Sequence, residues 1–453
     1  MTALWAPEAL LPDGWARNVR VTIENGKIAS VAAGTETARG DHRLTGRALL
    51  PAMANLHSHT FQRAMAGMTE RRGDTDDSFW TWRDLMYRFV GTLEPDEIGA
   101  IAALAFIEML EAGYGSVAEF HYLHHQPDGT AYDNRAELSH RVIGAAAETG
   151  IGLTFLPVLY TYAGTGGQAL SGGQRRFGNH TERLLRIAEA ARPELAEDGG
   201  LGAAPHSLRA VSLDQIAELQ AAFPGGPLHI HAAEQTAEVD AIVAAHGARP
   251  VELLLDRVGI DERWCIVHAT HMTADETRRL AQSGAVAGLC PITEANLGDG
   301  LFNAAEFLDA DGAFGVGTDS NVEITLAGEL RLFEYGQRLH HRARNVMSDR
   351  DASTGETLHR AALAGGARAL GRDCGAIVPG MHADLLALHR DHETLAPLAT
   401  GQLLDGFVFA GGANAITDVW SAGRHMVRNG RHIARDDVTN RYGAAMKRIV
   451  DRL

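Results

Sequence analysis

Lysine is almost absent from this chain. Only Lys27 and Lys447 occur among 453 residues, so arginine carries nearly all of the positive charge. The planar guanidinium group of arginine suits bidentate binding of carboxylates better than the lysine ammonium group does. The scarcity also limits catalysis, because a site built around a modified lysine would have to use one of these two residues.

Positive charge as a whole is also in deficit. The formal net charge is −16 at pH 7, and no run of lysine or arginine reverses it locally. Such a chain repels phosphate backbones and anionic lipid surfaces. We therefore expect a small-molecule substrate, with neither nucleic acid nor a membrane as a partner.

Long apolar runs and a regular cysteine framework are missing too. No stretch reaches the roughly 20 apolar residues of a membrane span, and the first residues lack the basic and apolar segments of a signal peptide. Cys265, Cys290 and Cys374 are odd in number and widely spaced, which predicts reduced thiols in the core. Together these absences predict a cytoplasmic protein.

The two ends of the chain have the character of β-structure. Residues 17–33 alternate around an Asn-Gly turn, which is typical of a β-hairpin. Short strand patterns broken by glycine return at residues 378–390 and 416–433. We expect the two ends to meet in one small β domain.

Between the ends, eight apolar runs of strand length alternate with helical patterns such as those at residues 95–113 and 138–150. This alternation predicts an α/β fold, and eight strands favour a (β/α)8 TIM barrel. A doubly wound open sheet is the competing architecture, but no Gly-x-Gly-x-x-Gly motif follows the first strand. The predicted units are residues 1–49 and 373–436 as the two parts of a small β-sandwich domain, 50–372 as the barrel and 437–453 as a C-terminal helix.

Polar side chains cluster where the predicted barrel strands end. A barrel enzyme carries its active site at this face. The residues in question are His57, His59, His121, His206, His231, His268 and Asp319. In a strand, residues i and i+2 point the same way, so we expect His57 and His59 to project together and to bind one metal ion.

Two later motifs complete a candidate metal site. His231 in "HIHAAEQ" and Asp319 in "GTDSN" would give three imidazoles and one carboxylate, a set that suits Zn²⁺, with Fe²⁺ or Mn²⁺ as alternatives. Glu234 follows His231 by three residues and could move protons to and from an attacking water. His268 in "VHATH" could stabilise charge that develops during the reaction, whereas His271 lies beyond the strand and is predicted to be a loop residue.

The stretches "PAMANLHSH", "HIHAAEQ", "VHATH", "CPITEANLG" and "GTDSN", with "VPGMHADLL" and "DVWSAGRHMV" near the end, resemble the amidohydrolase superfamily in its deaminase and chlorohydrolase branch. The resemblance covers almost the whole chain. It implies a distorted barrel, a β-sandwich made from both termini, a homodimer, and hydrolysis by a metal-bound hydroxide. The implied roles are metal ligation by His57, His59, His231 and Asp319, with catalysis by Glu234 as proton shuttle, His268 as polarising group and Asp319.

Many members of that superfamily hold two metals bridged by a carbamylated lysine after the fourth barrel strand. Here that strand reads "GLGAAPHSLR", and neither Lys27 nor Lys447 lies within the predicted barrel. Composition therefore excludes a lysine-bridged pair of metals. A single divalent metal ion is expected.

Four further stretches, "HSHTFQRAMAGMTE", "FWTWRDLMYR", "VAEFHYLHH" and "APHSLRAV", resemble more closely the members that convert N-formimino-L-glutamate to N-formyl-L-glutamate and ammonia in histidine degradation. This resemblance includes the long segment over residues 60–89, whose length predicts a lid. It also implies which residues bind the substrate: His206 near the reacting end, and, on the carboxylates, Gln62, Arg83, Tyr122 and Arg209.

An alternative substrate class stays open at this stage. A related deaminase or chlorohydrolase acting on a purine, nucleoside or triazine ring would share every metal ligand. The aromatic residues Phe79, Trp80 and Trp82 of the predicted lid are compatible with a ring substrate, although aromatic residues in a lid helix more often serve packing. Arg83 and Arg209 favour an acidic substrate instead, because charge-assisted pairs with carboxylates are strong.

Overall fold

The computed structural model describes residues 1–71, 79–349 and 351–453. The chain begins with strands that belong to a terminal sheet: β1 (Thr2–Leu11), β2 (Gly14–Glu24), β3 (Lys27–Ala32), β4 (His42–Arg43) and β5 (Arg47–Pro51). The predicted hairpin is formed by β2 and β3, with positive φ at both Asn25 (49°) and Gly26 (76°), the conformation that favours Asn-Gly. It does not open the chain, because β1 precedes it and pairs antiparallel with β2.

The next strands form the barrel. They are β6 (Met53–Ser58), β7 (Tyr114–His121), β8 (Gly152–Leu159), β9 (Gly200–Leu201), β10 (Ala204–Pro205), β11 (Leu228–Ala232), β12 (Trp264–His268), β13 (Val286–Leu289) and β14 (Ala313–Val316). Two parallel sheets run β6-β7-β8-β10 and β11-β12-β13-β14, and the short β9 pairs with β8. Parallel bridges Ala203–Leu228 and Ser58–Asp319 join the two sheets at both seams. The short β9 and β10 both lie in one predicted strand, "GLGAAPHSLR", so the eight strands predicted from the sequence are confirmed as a distorted (β/α)8 barrel.

Helices alternate with these strands. They are α1 (Phe79–Val90), α2 (Pro95–Glu111), α3 (Glu137–Thr149), α4 (Thr181–Ala191), α5 (Leu213–Ala222), α6 (Thr236–His246), α7 (Pro250–Leu253), α8 (Ala274–Gln282), α9 (Pro291–Leu297), α10 (Ala304–Asp309), α11 (Leu326–His341), α12 (Thr354–Leu370), α13 (Leu403–Gly406) and α14 (Arg435–Val450). The bounds of α2 and α3 agree with the helical patterns of the sequence. None of the helices described by the structure is long and apolar enough to cross a membrane.

The C-terminal strands return to the terminal sheet. They are β15 (Leu385–His389), β16 (Ile416–Ser421), β17 (Arg424–Arg428) and β18 (Arg431–His432). β15 lies between β5 and β16, so both ends of the chain share one sheet. A hydrophobic cluster separate from the barrel core contains Leu4, Val21, Leu385 and Trp420. The small β domain expected from both termini is thus present.

The seam between β6 and β14 fixes the floor of the barrel mouth. Asn55 donates a hydrogen bond from Nδ2 to Thr318 Oγ1 at 2.8 Å, and its Oδ1 accepts one from the Thr318 backbone at 3.2 Å. At Gly317 a Cβ atom would lie 2.7 Å from the backbone nitrogen of His57. Glycine therefore allows the chain that carries Asp319 to approach the strand that carries His57.

Candidate active site

The structure brings together the four residues predicted as metal ligands. The Nε2 atom of His57 lies 3.2 Å from His59 Nε2 and 3.1 Å from His231 Nε2. Asp319 Oδ1 is 3.3 Å from His59 Nε2 and 3.6 Å from His57 Nε2. All four side chains are buried, and their ligand atoms lie within 4.8 Å of one another. His57 and His59 do project together from β6, as the strand period predicts.

Backbone carbonyl groups determine which imidazole nitrogen faces the cluster. His59 Nδ1 lies 3.0 Å from the Phe120 oxygen, and His231 Nδ1 lies 3.1 Å from the His206 oxygen. A carbonyl oxygen only accepts, so each Nδ1 carries a proton and donates it. The Nε2 atoms of His59 and His231 therefore present lone pairs to the cluster, as in metal-bound histidines.

This donor set fits a divalent cation. The Nε2 atoms of His59 and His231 lie 3.2 and 3.1 Å from His57 Nε2, which places three nitrogen donors close enough together for one cation. Two imidazoles bound to one tetrahedral zinc ion at about 2.0–2.1 Å have nitrogen atoms about 3.3 Å apart. Three nitrogen donors and one carboxylate oxygen are typical of zinc, iron or manganese rather than of magnesium or calcium.

The histidines are also in the protonation state that a metal requires. Burial, together with the neighbouring imidazoles, holds the pKa of His57 and His231 well below the ordinary histidine value. Burial lowers the pKa of His59 to about 3. Neutral imidazoles are ligands and imidazolium ions are not, so the site is ready for a cation at neutral pH.

The second part of the site is built around His268. Its Nε2 atom lies 3.8 Å from Glu234 Oε1 and 3.8 Å from Asp319 Oδ2, while its Nδ1 atom lies 3.2 Å from Glu294 Oε1. Burial alone would lower the pKa of His268, but these three carboxyl groups outweigh it and hold the pKa well above its usual value. These carboxyl groups therefore favour the imidazolium form of His268, which can donate from both nitrogens.

The backbone is strained where these groups leave their strands. His268 has a φ of 67° and Asp319 a φ of 42°, in the left-handed region that residues other than glycine rarely adopt. Such conformations persist only where the surrounding structure imposes them, and they concentrate at functional sites. Here they follow the C-terminal ends of β12 and β14, where the two side chains turn toward the barrel mouth.

A second set of potential ligands overlaps the first. His268, Cys290 and Asp319 have ligand atoms within 4.8 Å of one another. However, Asp319 is shared with the histidine cluster, and the carboxyl groups around His268 raise its pKa, which opposes metal ligation by its imidazole. Burial also raises the pKa of the Cys290 thiol well above its usual value. The chemistry of these groups favours one metal ion at this site, not two.

All five residues predicted to bind substrate line one cavity above the histidine cluster. These five residues are Gln62, Arg83, Tyr122, His206 and Arg209. The polar groups that also line the cavity are His59, His231, Glu234, His268, Thr293, Asp319 and Ser320. The aromatic side chains that line it are Phe79, Trp82, Tyr87, Tyr160 and Phe177. Gln62 Nε2 donates to the Tyr122 hydroxyl at 2.8 Å, which leaves the Gln62 Oε1 atom buried without a partner.

Arg83 and Arg209 stand out among the cavity residues. Within the described parts of the chain, neither has a carboxylate within ion-pair distance, and the Nε atom of each is buried without a hydrogen-bond partner. Burial would lower the pKa of Arg209, but Glu238 and other neighbours raise it overall. Two guanidinium groups that have no carboxylate within ion-pair distance among the described residues, beside one partly enclosed cavity, are suited to an anionic ligand that has two carboxylates.

Several expectations need correction or extension. His121 does not reach the cavity: Phe120 faces the histidine cluster, and His121 packs against His124 and Phe155 on the other side of β7. His271 is a loop residue, as predicted, and donates from Nε2 to the Asp299 carbonyl at 2.8 Å. Of the predicted lid at 60–89, residues 72–78 lie outside the described residues, and α1 forms part of the cavity wall.

Sequence reasoning missed other residues of the site. Glu294 contacts His268, although its motif "CPITEANLG" was singled out without a role for the acid. Glu238 accepts a hydrogen bond from the Glu234 backbone at 3.1 Å. Tyr87 and Tyr160 line the cavity and both hydroxyls lie near Gln174 Nε2. Three of these residues lie on helices, and Tyr160 directly follows β8. No local sequence pattern indicates that they reach the barrel mouth.

Comparisons with known proteins agree with this geometry. The Amidohydrolase family model matches residues 48–426. The model "Formimidoylglutamate deiminase HutF, N-terminal domain" matches residues 1–45. The formimidoylglutamate deiminase of Pseudomonas aeruginosa is 50% identical over 454 residues, covering 100% of both chains. The 5-methylthioadenosine/S-adenosylhomocysteine deaminase of Natronomonas pharaonis is 30% identical over 461 residues, covering 98% of this chain and 95% of that protein.

Solved structures share the fold. The crystal structure of an amidohydrolase from Brucella melitensis has a TM-score of 0.95 and 47% identity, and covers 99% of this chain and 100% of that one. An adenosine deaminase from Xanthomonas campestris with bound zinc has a TM-score of 0.82 at 21% identity, covering 99% of this chain and 98% of that one. The chain belongs to the amidohydrolase family and, within it, to the formimidoylglutamate deiminases.

Proposed function

We propose that this protein hydrolyses N-formimino-L-glutamate to N-formyl-L-glutamate and ammonia, a step of histidine degradation. The observation that carries the proposal is the pair Arg83 and Arg209, which face a cavity above a histidine cluster and have no carboxylate partner among the described residues. The substrate has two carboxylates for these cations and an amidine group for the floor. The formimidoylglutamate deiminase that is 50% identical over the full chain supports the same reaction.

The metal ion is part of the proposal. His57, His59, His231 and Asp319 would hold one divalent cation, and the nitrogen-rich donor set favours Zn²⁺ over Fe²⁺ or Mn²⁺. When bound, such a cation supplies Lewis acidity that lowers the pKa of a water molecule to about 7. The chain has only Lys27 and Lys447, on β3 and α14, so a lysine-bridged pair of metals is not part of the proposed site.

Glu234 is proposed to move the proton. It lines the cavity, and its Oε1 atom lies 3.8 Å from His268 Nε2. As the water oxygen forms a bond to the formimino carbon, Glu234 takes a proton from that water. It passes this proton to the terminal nitrogen and then takes the second proton from the same oxygen, so that the C=O bond of the formyl group forms as the bond between carbon and that nitrogen breaks. The second proton also goes to the departing nitrogen, which leaves as ammonia.

His268 and Asp319 are proposed to control charge at the reacting carbon. The protonated His268 can donate from Nε2 to the attacking oxygen, which gains negative charge, and Asp319 keeps the local balance of charge. His206 lines the cavity beside the His231 ring, with ring centroids 5.0 Å apart, and would contact the substrate near its reacting end. Fixed groups of this kind need no reorganisation during the reaction, which is why they accelerate it.

The remaining substrate-binding residues are assigned by their position in the cavity. Arg83 and Arg209 would bind the carboxylates, assisted by Gln62 and Tyr122, whose side chains are already joined by a hydrogen bond of 2.8 Å. The alternative of a purine, nucleoside or triazine substrate is not favoured, because such neutral rings would leave both arginines unpaired in the cavity.

Ammonia release tests the proposal. Purified protein reconstituted with zinc is supplied with N-formimino-L-glutamate, guanine or adenosine, and Arg209→Ala and Glu234→Gln are measured alongside. We expect turnover of the first substrate only, an efficiency reduced by about 100-fold or more in Arg209→Ala, and a kcat reduced by about 10²- to 10⁴-fold in Glu234→Gln with its zinc content retained. Turnover of a purine, with no effect of Arg209→Ala, would overturn the substrate assignment.

Two expectations from the sequence complete the proposal. A cytoplasmic location is supported by the three buried cysteines, none of which forms a disulfide. The homodimer implied by the family resemblance is tested by light scattering, where a single monomeric species at working concentration would contradict it.

A further inference from the structure

Trp80 contacts both arginines of the cavity. The guanidinium carbon of Arg83 lies 4.4 Å from the centroid of the Trp80 ring, and that of Arg209 lies 6.0 Å from it. The two arginines come from different elements: Arg83 is on α1, and Arg209 follows β10. One indole ring therefore contacts a cation of α1 and a cation of the barrel.

The two arginines need such a partner. Both are cations in one partly enclosed space, and their like charges repel when no anion is bound. Arg209 is only 8% exposed, so water screens its charge weakly. The face of an indole ring attracts cations more strongly than other aromatic faces do, and more so where water is excluded. Trp80 therefore stabilises the charged pair before the substrate arrives.

The other aromatic neighbours do not have this role. Phe79 and Tyr87 lie 6.0 Å and 5.6 Å from the guanidinium carbon of Arg83. Among the described residues, Trp80 is the one aromatic residue within cation–π distance of both Arg83 and Arg209. It does not itself line the cavity, so it would act on a ligand through the arginines.

We propose that Trp80 is a positioning residue that holds Arg83 and Arg209 at the separation needed to bind the two carboxylates of one dicarboxylate molecule. The inference rests on the proposed function, because it assumes a substrate with two carboxylates. Trp80 would thereby give the cavity its preference for ligands with two carboxylates over ligands with one. Without the indole, each arginine still attracts an anion, but the pair is no longer set for both carboxylates at once.

Binding of the reaction product tests the inference without turnover. Calorimetry with zinc-loaded protein compares N-formyl-L-glutamate with N-formyl-L-glutamine, which has one carboxylate fewer, for the wild type, Trp80→Leu and Trp80→Phe. In Trp80→Leu we expect the Kd of the dicarboxylate to rise about 10-fold and that of the monocarboxylate by no more than about 3-fold, so the preference falls. Trp80→Phe keeps an aromatic face and should stay within about 3-fold of the wild type.

Kinetics give a second readout. With N-formimino-L-glutamate, Trp80→Leu should raise KM by a factor similar to the change in Kd and leave kcat within about 2-fold, because the reacting groups are untouched. Three results would each overturn the inference. They are an equal rise in Kd for both ligands in Trp80→Leu, an unchanged Kd of the dicarboxylate in Trp80→Leu, and a Trp80→Phe variant that binds the dicarboxylate as weakly as Trp80→Leu does. If the wild type binds N-formyl-L-glutamate more tightly than N-formyl-L-glutamine but releases no ammonia from N-formimino-L-glutamate, the proposed function is wrong. The role of Trp80 in binding two carboxylates would still hold.

Discussion

The Nδ1 atom of His268 lies 3.2 Å from Oε1 of Glu294, and that oxygen also accepts a hydrogen bond from the Cys290 backbone at 2.9 Å. Glu294 lies in the first turn of α9, shortly after β13, so a helix holds the carboxylate. The contact turns the imidazole so that Nε2 faces Glu234 and Asp319. The orientation of the proposed polarising group thus depends on an acid that does not line the cavity.

Substitution of Glu294 should therefore reduce catalysis more than substrate binding. Glu294→Gln keeps an oxygen that can accept from His268 but removes the charge, and we expect kcat to fall about 10-fold with KM little changed. Glu294→Ala removes the acceptor as well and should lower kcat about 100-fold. Steady-state ammonia release measures both, with metal content and unfolding temperature as controls. A rise in KM at constant kcat would contradict this role.

Removal of the metal should reduce stability as well as activity. The Nε2 atoms of His59 and His231 lie 3.2 and 3.1 Å from His57 Nε2, so one cation would be held by donors from separate strands of the barrel. A ligand at about 1,000 times its Kd stabilises the folded state by about 4 kcal/mol. Dialysis against a chelator should therefore lower the unfolding temperature by several degrees, and zinc should restore it.

A ligand variant provides the control for that experiment. His59→Ala removes one nitrogen donor, so its unfolding temperature should respond weakly or not at all to added zinc at the same concentration. Differential scanning calorimetry with and without zinc makes the comparison. An equal response of the wild type and His59→Ala would show that zinc acts elsewhere on the chain.

Gly317 should be intolerant of any side chain. A Cβ atom there would lie 2.7 Å from the backbone nitrogen of His57 and 2.8 Å from its oxygen, closer than real contacts allow. In Gly317→Ala the seam between β6 and β14 must open, which separates His57 from Asp319. We expect a loss of about 1–3 kcal/mol in stability and reduced zinc affinity, measured by urea unfolding and by competition with a chelating dye. Gly443→Ala, where no atom lies within 4 Å of the added Cβ, is the matched control.

The sequence predicted the architecture well because its signals are periodic and repeated. All eight barrel strands were identified, and the ranges 95–113 and 138–150 agree with α2 (Pro95–Glu111) and α3 (Glu137–Thr149). His57 and His59 could be paired because a strand places residues i and i+2 on the same face. β1 escaped notice because it lies before the Asn-Gly hairpin and has no turn signal of that strength.

The residues of the site were harder to predict where the position of a residue along the chain does not determine which way its side chain points. His121 ends β7 as His59 follows β6, yet Phe120 is the residue that faces the cluster, because a shift of one residue moves a side chain to the other face. Glu294 contacts His268, and Trp80 contacts Arg209, across contacts that join distant parts of the sequence. Such contacts follow from tertiary packing and leave no local pattern.

A last prediction concerns the seam between the barrel and the terminal sheet. Asp198, in the loop before β9, pairs with Arg372 at 3.0 Å and with Arg424 of β17 at 2.8 Å. Burial alone would raise the pKa of Asp198, but these two guanidinium groups lower it overall to about 2. The carboxylate form therefore stabilises the folded state, and Asp198→Asn should cost about 2 kcal/mol at pH 7.

The sign of the pH dependence follows from the same pKa. A folded-state pKa of about 2 lies below the unfolded value, so the stabilisation by Asp198 is complete above about pH 4 to 5 and is lost as the pH falls toward 2. Urea unfolding of the wild type and Asp198→Asn should show a constant difference from pH 7 to about pH 5 and a difference near half as large at about pH 3. A difference that grew on acidification would mean that Asp198 is not held as a carboxylate by Arg372 and Arg424.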